Sequence, residues 1–523
     1  MPTLNWTGKE KVINHHLDVP YRVLDLQYTF AAGEDAPSES ENKIIRGDNL
    51  EALKALLPHY EGRVKCIYID PPYNTGNENW VYNDNVNDPK IKKWLGAVVG
   101  KEGEDLSRHD KWLCMMYPRL KLLQRLLSDD GFIFISIDVF EYANLKCIMD
   151  EIFGLSNFRN CIAVRRGIKN VQAQFQEVQA LSLGHEYIYV YSRNSQTKMP
   201  KLSKSFDNTK AGKWDTFWRG TDRPTMRYPI LGHTPERGQW RWEIGRASKA
   251  VENYQFFLEE HPNESIDDYF IENLMATNEK LDFVRVNEEN DTIQYYVPPQ
   301  AGKLLSDNWM DILLSGSFAG FDTEKNVFLI QRIIEWISDP DSIILDSFAG
   351  SGTTAHAVLN LNKQDGGHRR FILVEMNDYA ETITAERVRR VMNGYGEGKN
   401  AVEGTGGDFS FYELGQPLMI GELLNPDVPT PKVKEYVYFM ETKAVMPPDK
   451  PDEPYLLGVN GQAAYYFVFE PDRVTVLDDQ TLSTIHTAAE EYVIYADRCA
   501  LNAEELERLH ITFKKIPRDI SRL

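Results

Sequence analysis

Three observations in the 523-residue sequence predict an α/β protein built around a mostly parallel sheet. Short runs of β-branched and aromatic residues alternate with segments of helical apolar spacing, the rhythm of βαβ units. Four of those runs lead into an acid: Asp48, Asp70, Asp346 and Glu375. A glycine-rich turn, "FAGSG" (348–352), separates one run from the helix behind it.

The elements follow in order. "KIIRGD" (43–48) reads as a strand and "NLEALKALL" as the helix after it. Strand "CIYID" (66–70), helix "WLCMMYPRLKLLQRLL" (112–127), strand "GFIFISID" (131–138) and helix "YANLKCIMDEIF" continue the pattern. Two alternating stretches, 160–166 and 186–193, lie near enough to pair. Over 195–305 the rhythm lapses and Trp, Arg, Gly and Pro accumulate, which reads as an inserted domain. It resumes with helix 323–337, strand "SIILD" (342–346), helix "TTAHAVLNLN", strand "FILVE" (371–375) and a helix over "YAETITAERVRRVMN". The Gly-rich "NGYGEGKNAVEGTGGD" (393–408) reads as a linker. The expected organisation is therefore an N-terminal arm (1–40), two core halves (41–194 and 306–400), an insertion (195–305) and an α+β C-terminal domain (401–523).

Composition narrows the class. With 42% hydrophobic and 11% aromatic residues the chain can build sizeable cores, which excludes a disordered protein. No window approaches an 18-residue apolar run, and the first residues lack a signal-peptide core, so no membrane association is expected. Five scattered cysteines show no metal-binding spacing; no metal site is expected, and the thiols read as those of a reduced, cytoplasmic protein. A net charge of −20 opposes nucleic-acid binding, but the charge is uneven. Residues 157–250 hold 7 Lys and 10 Arg against 7 acids, with aromatics interleaved. Because phosphate attraction acts over a Debye length of ~10 Å, this local surplus outweighs the total.

Two motifs carry the chemistry. In "KCIYIDPPYNTG" (65–76), Pro71 and Pro72 end a strand because proline cannot donate to the ladder, which leaves Asp70 and Tyr73 unexplained. In "DSFAGSGTTAHA" (346–357), Gly350 and Gly352 permit a tight turn and close approach by a ligand, with free N–H groups on the helix behind. Neither the P-loop nor the dinucleotide fingerprint matches. One unit on, Glu375 ends a strand where an acid can accept from two ribose hydroxyls.

Together, "FAGSGTT" and "DPPYNTG" resemble the S-adenosylmethionine loop and the catalytic loop of amino-group DNA methyltransferases, in the β-class order with the catalytic loop first. "NWTGKEKVINHHLDVPYRVL", "GDNLEAL", "GQWRW" and "ITFKKIPRDI" extend the resemblance, over nearly the whole chain, to the modification subunits of type III restriction–modification systems. The resemblance implies a circularly permuted methyltransferase fold. Strands 342–346 and 371–375 would be its first two although they come last, and 43–47, 66–70 and 131–138 its third to fifth. The pair 160–166 and 186–193 would close the sheet edge as a hairpin, and 195–305 would be the target-recognition domain. The implied activity is methyl transfer from S-adenosylmethionine to N6 of a flipped-out adenine in double-stranded DNA. The implied partners are a second copy of the chain and a restriction subunit with helicase and nuclease activities. Cytosine-N4 methylation shares this chemistry, although Asp rather than Ser before the prolines favours adenine. A solitary methyltransferase and a catalytically idle DNA-recognition scaffold are the alternatives.

Residue by residue, the resemblance makes Asp70 the acceptor of one amine hydrogen and the Pro71 carbonyl the acceptor of the other. Pro72 stiffens the turn and Tyr73 stacks on the base. Phe348 and Gly350 lie against the methionine portion of the cofactor, Asp346 near its amino group and Glu375 on the ribose, with Ala349, Gly352 and Thr353 completing the cofactor loop. Asp48 is either a partner of the cofactor adenine or a helix N-cap. Lys325-Asn326 stands where the family usually has Lys-Pro, which puts the local loop shape in question. Arg165, Arg166 and Lys169 are candidate phosphate contacts. Arg219, Arg223, Arg227 and Arg241, with Trp218 beside them in the basic, Trp-rich stretch 213–242, are candidates either for phosphate contact or for bidentate reading of guanine. Trp240 and Trp242, at strand spacing, are either core or a nucleic-acid platform, and His15, His16 and His109 read as structural.

Overall fold

Ten runs of alternating or continuous apolar residues become the strands of one sheet in the computed structural model. The structure describes all residues except 1–2, 34–35, 75–92, 94–107, 168–180, 278, 320–322 and 521–523. The strands are β1 (Arg22–Ala31), β2 (Lys43–Arg46), β3 (Val64–Ile69), β4 (Leu127–Ile137), β5 (Phe158–Arg165), β6 (His185–Ser192), β7 (Asn308–Leu313), β8 (Ile343–Asp346), β9 (Arg370–Glu375) and β10 (Asp408–Pro417). Their spatial order is β1-β10-β2-β9-β8-β3-β4-β6-β5-β7. From β10 to β4 every neighbour pair is parallel. β6 runs antiparallel to both β4 and β5, and β1 antiparallel to β10.

The centre of the sheet is buried on both faces, as a parallel sheet requires. Leu345 and Val374 join one apolar cluster with Leu53 of the helix Asn49–Tyr60, Leu120 of Arg108–Leu126 and Ile148 of Tyr142–Phe153. The alternate side chains Ile344, Phe371 and Leu373 point the other way and are equally buried. The helices Val327–Ile337 and Thr353–Asp365 pack together on that side.

The fold is thus α/β, with the permuted order the resemblance implies: β8 and β9, late in the chain, sit between β2 and β3. Three strands depart from expectation. The β5–β6 hairpin forms but does not close the edge, because β7 adds beyond it in parallel with β5. On the far side β10 pairs with β2, and β1 covers β10. Residues assigned to an arm and to a C-terminal domain therefore help build the main sheet. In "DFSFYEL" the four consecutive residues Phe409, Ser410, Phe411 and Tyr412 are buried.

Lys201–Ser306 forms a compact unit of its own, and the rest of the chain forms another. The smaller unit holds a three-stranded sheet of Lys213–Thr216, Thr292–Val297 and Val284–Asn287, and the helices Ile244–Glu260 and Ile266–Thr277. Its core gathers Phe217, Tyr228, Trp240, Ala247, Val284 and Ile293. The end of the larger unit carries a four-stranded sheet of Leu456–Asn460, Ala463–Phe467, Glu491–Ala496 and Ile511–Lys515. Among the described residues no helix is long and apolar enough to cross a membrane.

Candidate active site

The two motifs meet because β8 and β3 are neighbours, with Ile344 opposite Cys66 and Leu345 opposite Ile67. Parallel strands release their chains at the same edge, so one loop leaves at Ser347 and the other at Asp70. The strand order reverses here, since β9 lies on one side of β8 and β3 on the other. Such a switch point is where open α/β sheets hold ligands.

On the catalytic side, Asp70 Oδ2 lies 2.8 Å from Lys325 Nζ. The same ammonium donates to Tyr73 Oη at 2.9 Å and stands 4.9 Å from the centre of the Tyr73 ring. The second carboxylate oxygen, Asp70 Oδ1, is buried without a hydrogen-bond partner. Leaving such an acceptor unmet costs about 1–3 kcal/mol, so the site is built to receive a donor. Burial first, then the charge of Asp70, holds the Tyr73 phenol well above its ordinary pKa and therefore protonated. The turn itself is braced: Trp112 Nε1 donates to Pro72 O at 2.6 Å, and buried Asn74 adopts a positive φ of 59°. Asn74 Nδ2 donates to Glu141, whose Oε1 also pairs with His109 Nδ1 at 2.7 Å, which gives His109 its structural role.

On the cofactor side, Asp346 and Glu375 are both tied into the glycine loop. Asp346 Oδ1 accepts from Phe348 N at 3.0 Å and Oδ2 from Thr354 Oγ1 at 2.5 Å. Burial, with the charges of Asp70 and Glu375 as smaller causes, pushes its pKa up to about 7. Glu375 Oε2 accepts from Gly350 N at 2.9 Å and Oε1 from Asn377 N at 3.0 Å; burial raises its pKa as well. Asn377 Nδ2 also donates to Oε1 at 3.1 Å, and the Tyr379 hydroxyl bonds the same carboxylate, so Glu375 is held in place from several sides. Gly352 has φ 80°, and a Cβ there would stand 3.1 Å from Thr384 O. Thr384, in the π-helical turn Ala380–Ala385, also donates to Gly350 O at 2.6 Å. Ser347 Oγ, at the mouth of the loop, is buried without a partner. An unmet hydroxyl beside a side-chain-free turn, with two buried acids fixed around it, fits a ligand with hydroxyl and amino groups.

Asp48 is the N-cap of the helix Asn49–Tyr60, accepting from Leu50 N at 2.8 Å, and it pairs with buried Arg119 at 3.2 Å. Ala349 N bonds Val374 O at 3.1 Å, Phe348 packs against the main core, and Thr353 Oγ1 accepts from Arg387 Nη1 at 2.9 Å. At the Lys-Pro departure, Asn326 caps the helix Val327–Ile337, its side chain accepting from Phe328 N at 2.9 Å. The helix start is thus formed without the proline.

Three features escaped the sequence. Lys325 stands out in the sequence only through the Asn326 beside it, and Trp112 only as the first residue of a helix. Arg387 and Glu324, both about 1% exposed, form a buried pair at 3.0 Å behind the glycine loop; only charged residues amid apolar helix positions could have flagged it.

The candidate DNA contacts divide. Arg165 is exposed at the end of β5, and Arg166 pairs with Glu186 at 3.4 Å. Lys169 lies outside the described residues. In the smaller unit Arg219 and Arg223 are exposed, while Arg227 pairs with Asp222 and donates to Gly238 O at 2.9 Å. Arg241 bonds Thr216 O at 2.8 Å and lies over the Tyr295 ring. Trp218 is half exposed; Trp240 belongs to the core and Trp242 packs against it.

A family model described as DNA methylase matches residues 64–386, more than half of the chain. The chain belongs to the DNA methylase family. Among curated relatives, this methylase is 35% identical to the type III restriction-modification enzyme StyLTI Mod subunit of Salmonella typhimurium, over 64% of the chain and 52% of that protein. It is 28% identical to the EcoP15I Mod subunit of Escherichia coli, over 72% and 64% respectively. It is 31% identical to the type II methyltransferase M.KpnI of Klebsiella pneumoniae, over 65% of the chain and 81% of that protein. The chain spans about half to two thirds of the length of these Mod subunits.

Proposed function

We propose that this methylase transfers a methyl group from S-adenosylmethionine to N6 of an adenine extruded from double-stranded DNA, as the modification and recognition subunit of a type III restriction–modification system. One observation carries the reading: the buried, unpartnered Asp70 Oδ1 stands at the edge shared with the glycine loop and Glu375. S-adenosylmethionine would supply an electrophilic methyl on a sulfonium.

The chain's own residues do the rest. An exocyclic adenine amine is a poor nucleophile because its lone pair is delocalised into the ring. Asp70 Oδ1 accepts one N–H and the carbonyl of Pro71 the other, which aims the lone pair out of the ring plane toward the methyl. S-adenosylmethionine held there would offer its methyl carbon to that lone pair, the carbon–sulfur electrons remaining on sulfur, and Asp70 would pass the surplus amine proton to solvent. Asp70 also stabilises the positive charge that develops on nitrogen. Extrusion of the base costs a few kcal/mol, and stacking on Tyr73 returns ~1–3 kcal/mol. Asp346, Phe348, Ala349, Gly350, Gly352, Thr353 and Glu375 would hold the cofactor. Asp48 acts on that site through the helix it caps.

Lys201–Ser306 would read the target sequence, with exposed Arg219 and Arg223 the foremost contacts. Arg165 and Lys169 would meet phosphate from the larger unit. Two copies of the chain, and a restriction subunit, would complete the cytoplasmic assembly; resemblance to Mod subunits supports both. Asp before the prolines supports adenine over cytosine.

The test is expression in cells free of other methylases, followed by single-molecule sequencing of their DNA. N6-methyladenine at one recurring motif is the expected result, and Asp70→Ala is expected to erase it while cofactor titration stays unchanged. Methylated cytosine, or equal turnover by the variant, would overturn the assignment.

A further inference from the structure

We propose that Lys325 is a positioning residue for methyl transfer, holding one oxygen of Asp70 and the phenol of Tyr73 so that the other oxygen of Asp70 is presented to the target amine. The inference rests on the methyl-transfer reading and adds to it a residue outside both motifs.

Four observations converge on this lysine. Its ammonium bonds Asp70 Oδ2 and Tyr73 Oη at nearly equal distances, 2.8 and 2.9 Å. It leaves Asp70 Oδ1 buried and unmet. Its side chain is 10% exposed, so the ammonium is held rather than sampling solvent. Its backbone carbonyl accepts from Thr353 Oγ1 at 3.4 Å, and Asn326 beside it caps a helix. The main chain of Lys325 is therefore fixed against the cofactor loop while its head group fixes the clamp.

The physical need is plain. A carboxylate on one rotatable bond has two equivalent oxygens, and a productive amine contact requires one of them at a defined place. Anchoring Oδ2 with a charged donor removes that freedom before the base arrives. The charge also matters, because Asp70 and buried Glu186 both act on Tyr73, and Asp70 acts on buried Asp346. One ammonium among these acids limits their mutual repulsion and leaves the site net negative for a nitrogen that becomes positive. A rival explanation exists in the same geometry. An N–H donor on Asp70, over the face of Tyr73, also occupies the ground expected for the target amine, and a mere placeholder would have to be displaced.

The two are separated with the full-length chain, plasmid DNA from methylation-free cells and tritium-labelled S-adenosylmethionine. Lys325→Met is expected to lower kcat about 100-fold, the scale of a misplaced reacting group. KM for DNA and the cofactor affinity from titration should stay within about threefold, and Lys325→Arg should recover part of kcat. Unchanged or raised kcat with tighter DNA binding would show a placeholder and overturn the proposal. Loss confined to cofactor affinity would show a purely structural link to the glycine loop and overturn it too. A wild-type chain that binds cofactor yet methylates no DNA would instead sink the underlying reading, and this inference with it.

Discussion

A single carboxyl shows how tightly this site balances burial against charge. Asp346 is held by Phe348 N and Thr354 Oγ1, yet desolvation moves its pKa from 3.8 up to about 7. The folded chain therefore keeps a proton that the unfolded chain has already released. Its contribution to stability is complete below about pH 4 and is lost as pH rises toward 7. Asp346→Asn removes the penalty of ionisation while its amide oxygen can still accept from Phe348. Thermal melts of the cofactor-free protein should show the variant gaining on wild type as pH goes from 5 to 8, whereas parallel curves would place the cause elsewhere. Most individual residues of the two loops were legible, because each acid ends a run of β-formers and each glycine precedes a helix. Lys325 was not: its role depends on a side chain arriving from 250 residues away, which no local pattern encodes.

Between neighbouring elements, the glycine loop is shaped as much from behind as by its own sequence. Thr384 closes on Gly350 and Gly352 from a π-helical turn, and Arg387 one turn later reaches Ser351 and Thr353, each at 2.9 Å. Arg387 also pairs with buried Glu324, which takes the N–H groups of Phe318 and Ala319. Burial lowers the guanidinium pKa to about 10 despite that partner, and lowers His356 beside it to about 3. Removing one member of such a pair strands the other, at a cost of about 3–5 kcal/mol. Arg387→Met should therefore lower unfolding free energy by that amount in urea titration; a loss under 1 kcal/mol would mean that Glu324 finds another partner. The sequence reads 379–393 as one helix, and by periodicity it nearly is. The π turn Ala380–Ala385 that brings Thr384 over the loop is a one-residue irregularity below the resolution of apolar spacing.

Across the whole chain, the permuted order was readable because strand ends, acids and turns keep their local signatures wherever the chain is cut. What stayed hidden were β1, β7 and β10, short or half-exposed strands whose place is decided by distant partners rather than by their own propensity. The proposed reading assigns sequence choice to the compact Lys201–Ser306 unit, whose described residues supply no strand of the main sheet. Replacing it with the corresponding unit of a relative should change the methylated motif while preserving adenine as the base, as read by sequencing; an unchanged motif would move recognition elsewhere. The permutation has one more consequence, for synthesis. β2 finds both its ladder partners, β9 and β10, more than 300 residues downstream, and β3 lacks β8 for almost as long. At roughly 5–20 residues per second, a ribosome leaves those edges bare for some tens of seconds. Bare strand edges invite pairing with other nascent chains, so this protein's yield in a cell should depend on chaperones that shield the growing N-terminal half.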